Sequence, residues 1–190
     1  MKTEKEKFLA GEPYQIFDAE LAADETKARA LCQHLNALAD TETEAKQALL
    51  AQLFGKVGAN CYVQPNFRCD FGYNIFVGDN FICNYDSVIL DIAPVHIGND
   101  VMFGPHVQLY AAAHPLDAER RRARIGLGAP ITIGDNVWLG GGATVLPGVT
   151  IGDNTVVGAN STVTHSFGPN LIIAGNPARV LRQAPTGETV

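Results

Sequence analysis

A parallel β-helix built of six-residue repeats, closed at one end by a small helical segment, is the fold this sequence predicts. Three observations carry the prediction. From Val57 onward an apolar residue recurs at six-residue spacing: Val57, Val63, Phe71, Val77, Cys83, Ile89, Ile97, Phe103 and Leu109, then Ile133, Leu139, Val145, Ile151, Val157 and Val163. Nine of the 19 glycines directly follow one of these residues, whereas alternating strands of period two would scatter them over both phases. A second small or apolar position lies four residues after the start, as at Val101, Val137, Ala143, Val149, Thr155 and Ser161.

Each hexad supplies one short strand and one corner. Three make a triangular coil with an inward apolar column, and stacked coils pair every strand above and below. Glycine or asparagine at the corners accepts backbone angles that other residues resist. The length of 190 residues and 46% hydrophobic content suit one such unit with an appendage: a helical segment 1–55, the β-helix 56–183 and a tail 184–190. Thr3-x-x-Glu6 is a capping box for a short helix that Gly11 ends. Asp24 is expected to cap a second helix carrying Leu31, Leu35 and Leu38. Thr41-x-x-Glu44 starts a third, with Ala45, Ala48, Leu49, Gln52 and Leu53 on one face and Gly55 as its C-terminal cap. These helices cover the first coil, whose strand edges would otherwise pair with other chains.

The rhythm breaks in three places. Two extra residues enter between positions 63 and 71, and again between 89 and 97. A long segment leaves the coil as a loop between Leu109 and Ile133, and loops on a stiff scaffold are where chemistry is expected. Its cluster Arg120, Arg121, Arg122 and Arg124 reads as a solvated loop. The net charge of −6 argues against general nucleic-acid binding. No run of about eighteen apolar residues exists and residues 1–7 lack a signal-peptide core, so a soluble cytoplasmic protein is expected. Cys32, Cys61, Cys69 and Cys83 show no CxxC spacing and read as buried thiols.

Four segments narrow the chemistry: Phe-Arg-Cys-Asp-Phe-Gly-Tyr-Asn-Ile at 67–75, Cys-Asn-Tyr-Asp at 83–86, Ala-His-Pro-Leu-Asp at 113–117 and Gly-Asn-Pro-Ala-Arg at 175–179. With them the chain resembles the hexapeptide-repeat acetyltransferases, most closely the maltose and galactoside O-acetyltransferases with their nodulation-type relatives, up to about Arg182. The resemblance implies a left-handed β-helix, a homotrimer with sites between subunits, and acetyl transfer from acetyl-CoA to a sugar hydroxyl, with no metal and no acyl-enzyme. His114 matches the general base; a sugar hydroxyl is a poor nucleophile, and a neutral imidazole suits removal of its proton. Asn84 matches a residue that stabilises the transition state and contacts the sugar, while its place in the hexad also suits a corner with left-handed backbone.

The same resemblance assigns acetyl-CoA contacts to Gly141, Ala159, Thr164, His165, Arg179 and Arg182, with His165 standing where lysine is common. Asp70, Asn84, Asp18 and Asp91 match acceptor contacts, and the helical segment contributes to that side. Ile16 is apolar where galactoside enzymes carry a polar residue, so a maltose or glucose-type acceptor is favoured. Trp138 is either a sugar platform or a cover for the coil exterior or the CoA cleft. Other readings stay open: another hydroxyl or an amine as acceptor, a non-catalytic assembly module, or a metal-dependent carbonic anhydrase. The last needs three converging histidines, and His96, His106 and His114 lack the short spacing of such sets.

Overall fold

The computed structural model describes residues 1–185, and its main body is a prism of three parallel sheets. Sheet I stacks Ile75–Val77, Val95–Ile97, Ile131–Ile133 and Thr150–Ile151. Sheet II stacks Tyr62–Val63, Ile82–Cys83, Met102–Phe103, Trp138–Leu139, Val156–Val157 and Leu171–Gly175. Sheet III stacks Arg68–Cys69, Val88–Leu90, Gln108–Tyr110, Thr144–Val145 and Thr162–Val163. The registers align one inward column per sheet, for example Val63, Cys83, Phe103, Leu139, Val157 and Ile173 in sheet II, and these side chains are buried. The second inward position fills the corners, with Val101, Val137 and Ala143 fully buried.

The phase differs from the sequence expectation at one point. Sheet III begins at Cys69, which pairs in register with Ile89, and the two extra residues follow it. Phe71 therefore leaves the column and packs with Phe8, Tyr14 and Leu21 in a separate cluster. Both residues are apolar and two apart, so spacing alone did not distinguish them. With this placement all three breaks, at 70–74, 90–94 and 111–130, fall on the prism edge between sheets III and I.

The helices pack on the first coil, with bounds that differ from those read in the sequence. Helix α1, Glu4–Leu9, has the Thr3–Glu6 capping box, and Gly11 follows at φ 69°. Helix α2, Ala19–Ala37, is capped by Asp18 and not by Asp24, which lies inside it and pairs with Lys5 at 2.9 Å. Helix α3, Thr43–Leu53, starts two residues beyond Thr41 and buries Lys46, Leu50 and Leu53 in place of Ala45 and Ala48. The buried Lys46 is held by Asp40 at 2.8 Å. Gly55 is not a left-handed cap; a Cβ there would lie 2.2 Å from the Tyr73 carbonyl oxygen, so close approach selects glycine. Ala28, Cys32, Leu35, Leu50 and Leu53 join Phe67 and the coil residues in one core.

At the other end Leu171–Gly175 forms an antiparallel hairpin with Ala178–Gln183. Of the expected tail, residues 186–190 lie outside the described part. All four cysteines are buried free thiols. Among the described residues no helix is long and apolar enough to cross a membrane.

Candidate active site

The excursion at 111–130 is an ordered unit and not an irregular loop. Ala112–Ala113 pairs antiparallel with Ile125–Gly128, and Tyr14–Gln15 from the helical segment adds a third strand. Gly126 is buried at that junction, where a Cβ would sit 2.6 Å from the Tyr14 ring. Between the strands, helix α4, Ala118–Arg122, is capped by Asp117, which accepts the Arg120 amide at 2.9 Å. Arg121 donates through Nη1 to the carbonyls of Pro115 and Leu116 at 3.0 and 2.8 Å. One arginine of the cluster read as solvated thus braces the turn beside His114. Nothing in the sequence marks which one.

His114 Nδ1 lies 3.2 Å from the Ile125 carbonyl oxygen. A carbonyl only accepts, so Nδ1 carries a proton and the lone pair of the neutral ring belongs to Nε2. The ring therefore presents a base. It lines a cavity of about 210 Å³ together with Asp70, Glu25 and the apolar side chains of Ile16, Leu90 and Ile92. Burial, reinforced by the negative charges of Asp91 and Glu25, pushes the Asp70 carboxyl up to about 7. Burial pushes the Tyr14 phenol up to about 12.

Two of the expected acceptor contacts have other work. Asp91 is fully buried, and its carboxylate accepts the amides of Asp70 at 3.0 Å, Phe71 at 2.9 Å and Asn74 at 3.4 Å. It staples the 70–74 bulge and does not line the cavity. Asp18 accepts the amides of Glu20 and Leu21 as the cap of α2 and also lies outside the cavity lining. A carboxylate at a bulge or a helix start is needed by the backbone before any ligand arrives.

Asn84 sits on a different edge, between sheets II and III. In its turn the left-handed residue is Asp86 at φ 62°, so the corner explanation for Asn84 does not hold. Its Oδ1 accepts the Tyr85 amide at 2.8 Å, and its N–H₂ has no partner among the described residues. Along the same edge lie Gly104, Gly140, Gly141 and Ala159, stacked so closely that a Cβ on Gly140 would be 2.6 Å from the Ala159 nitrogen. The C-terminal hairpin, carrying the exposed Arg179 and Arg182, reaches this edge where the Gly175 amide donates to Ser161 Oγ at 3.0 Å. Thr164 and His165, in contact at 3.3 Å, lie instead on the edge of His114. The expected site is thus divided between two edges, with sheet III separating them.

Residues 7–58 match the maltose acetyltransferase hexapeptide capping motif, and residues 130–165 match the bacterial transferase hexapeptide repeat. Nodulation protein L of Rhizobium meliloti is 47% identical over 179 residues, covering 94% of this chain and 98% of that protein. The crystal structure of a maltose O-acetyltransferase from Clostridium difficile superposes with a TM-score of 0.94 at 46% identity, covering 97% of this chain and 99% of that one. A galactoside acetyltransferase in complex with coenzyme A gives a TM-score of 0.92 at 36% identity, covering 97% and 92%. The chain belongs to the maltose and galactoside O-acetyltransferase family. In this acetyltransferase His96, His106 and His114 do not converge. His96 stacks on Phe76 at 4.9 Å on the face of sheet I, and His106 lies 3.8 Å from Asp86 on the edge of Asn84. Trp138 stands on the outer face of sheet II in register with Met102, which is in register with Ile82, and these three apolar side chains are 50%, 42% and 42% exposed.

Proposed function

We propose that the chain transfers an acetyl group from acetyl-CoA to a hydroxyl of a sugar, of the maltose or glucose type, by direct attack with His114 as general base. The observation that carries this reading is the His114–Ile125 contact, which assigns the proton of the neutral ring to Nδ1 and its lone pair to Nε2, on a residue lining a cavity of monosaccharide size. The relatives support it, one being a maltose O-acetyltransferase and another a galactoside acetyltransferase with coenzyme A bound.

Acetyl-CoA supplies a thioester carbonyl carbon. His114 Nε2 takes the hydroxyl proton as the acceptor oxygen attacks that carbon, then gives it to the departing thiolate. The unpartnered N–H₂ of Asn84 suits the oxygen on which charge develops, and the same group is assigned to the sugar contact. Asp70 accepts from acceptor hydroxyls, and Tyr14, Ile16, Leu21 and Glu25 make the helical segment the other acceptor wall. Gly141 and Ala159 leave the backbone open to a pantetheine arm, with Thr164, His165, Arg179 and Arg182 for the distal part.

Because His114 and Asn84 lie on separate edges, the reading requires the edge of one copy to face that of another in a homotrimer, with one shared site at each junction. The outward row Ile82, Met102 and Trp138 is an apolar surface suited to coverage by such a copy. A cytoplasmic location accords with the use of acetyl-CoA.

The test is thiol release and product mass with acetyl-CoA and a panel of mono- and disaccharides. Acetylation of maltose or glucose that requires His114 is expected. Release of no thiol with any sugar would overturn the reading.

A further inference from the structure

The cavity beside His114 is lined by two unlike sets of side chains. Besides His114 and the Tyr14 phenol, Asp70 and Glu25 supply its only polar side chains, whereas Ile16, Leu90, Ile92 and Leu127 present only hydrocarbon. The isoleucines are fixed in place. The Ile16 amide donates to the Arg124 carbonyl at 3.2 Å, extending the small sheet, and Ile92 packs against the Phe8–Tyr14–Phe71 cluster. Gly128 admits Ile92, since a Cβ there would lie 3.1 Å from its Cγ2. A fully hydroxylated ring pressed on this hydrocarbon would bury hydroxyls with no partner, which a site cannot do without losing affinity.

We propose that Ile16 and Ile92 determine acceptor choice by seating an apolar group next to the reacting hydroxyl, so that the preferred acceptor is a glucose-type sugar with one hydroxyl replaced by hydrogen or methyl. This rests on the proposed sugar O-acetylation and narrows its substrate class. The cavity volume of about 210 Å³ holds one such ring. The carboxylates then read the remaining hydroxyls while the isoleucines exclude one.

The experiment compares kcat/KM for glucose and for 2-, 3-, 4- and 6-deoxyglucose, with wild type, Ile16→Asn and Ile92→Asn, alongside the KM for acetyl-CoA. In wild type at least one deoxy sugar should exceed glucose by roughly tenfold, the lower end of what one group is worth in an apolar pocket. Either asparagine variant should reduce that ratio severalfold while the KM for acetyl-CoA stays the same. Glucose equal to or better than every deoxy sugar in wild type would overturn the inference and leave sugar acetylation standing. Turnover of none of the five sugars would overturn the inference, and sugar acetylation falls with it only if maltose also releases no thiol.

Discussion

Two edges of the same prism show what a kept rhythm and a broken one each provide. Between sheets I and II the turns are uniform, and Asn60, Asn80, Asp100, Asn136, Asn154 and Asn170 all take left-handed backbone with φ of 53–59°. Their side chains bond up and down the edge, as Asn136 to Asn154 at 2.9 Å and Asn154 to Asn170 at 3.0 Å, so the polar groups satisfy one another. Between sheets III and I the inserted residues bring Asp70, Asp91 and Glu25 together with few cations, and burial holds the Asp70 carboxyl far above its ordinary value. Repetition makes a self-sufficient edge. Interruption leaves the Asp70 carboxyl without a partner among the described residues, although Asp91 is held by three amides and Glu25 by Arg29 at 2.7 Å, and an unpartnered group is what a binding site requires.

The sharpest way to break the comparison is at His114. His114→Ala should lower turnover by about 10²–10⁴, with acetyl-CoA affinity in direct binding assays almost unchanged. Normal turnover at saturating substrates would remove the broken edge from the chemistry. Next in size, Asn84→Ala and Asn84→Gly should both lower turnover by about 10²–10³ without a fall in melting temperature. Glycine is expected to give no rescue, because Asn84 is not left-handed. A glycine variant with normal turnover would show that the side chain does nothing in catalysis.

The regular edge should respond in the opposite way. Asn154→Ala removes two ladder bonds and places alanine at φ 57°, which should cost about 1–2 kcal/mol in denaturant unfolding with activity per folded molecule unchanged. Asn154→Gly keeps the backbone angle and should cost less. The response of Asp70 is one of stability against pH. Its carboxyl ionises near the ordinary value of 3.8 when unfolded and is pushed up to about 7 when folded. Between those values the folded state retains a proton that the unfolded state has lost, so the stability this group contributes is full below pH 3.8 and is lost as the pH rises through 7. Asp70→Asn should therefore melt a few degrees above wild type at pH 8 and level with it near pH 4. A higher melting point at pH 4 alone would contradict the sign.

What the sequence made legible follows the same division. Where the six-residue spacing is unbroken, glycine phase and the second inward position placed strands and corners correctly, because each residue answers to its own coil. At the broken edge local pattern was not enough. Cys69 and Phe71 compete for one column, and only the packing of α1 on Phe71 separates them. Asp91 carries the right chemistry for a sugar contact, but three backbone amides claim it, a demand invisible until the bulge is folded. Helix α2 begins at Asp18 because two amides there need an acceptor, and the pattern of leucines further along gave no sign of the earlier start. Arg121 is indistinguishable in sequence from its neighbours. The sequence picked out His114 and Asn84 as candidates, while their separation across sheet III was not legible in it.

That separation is the central claim, and mixing two inactive subunits tests it most directly. His114→Ala and Asn84→Ala chains, each nearly inactive alone, should be unfolded and refolded together and assayed for acetyl transfer after the mixed oligomer is isolated by differential tags. A site shared between copies predicts that activity returns to about a third of the wild-type sites, since one of the three junctions in each mixed trimer holds both side chains. Mixed trimers that form and remain as inactive as their parents would show that His114 and Asn84 do not act together across subunits.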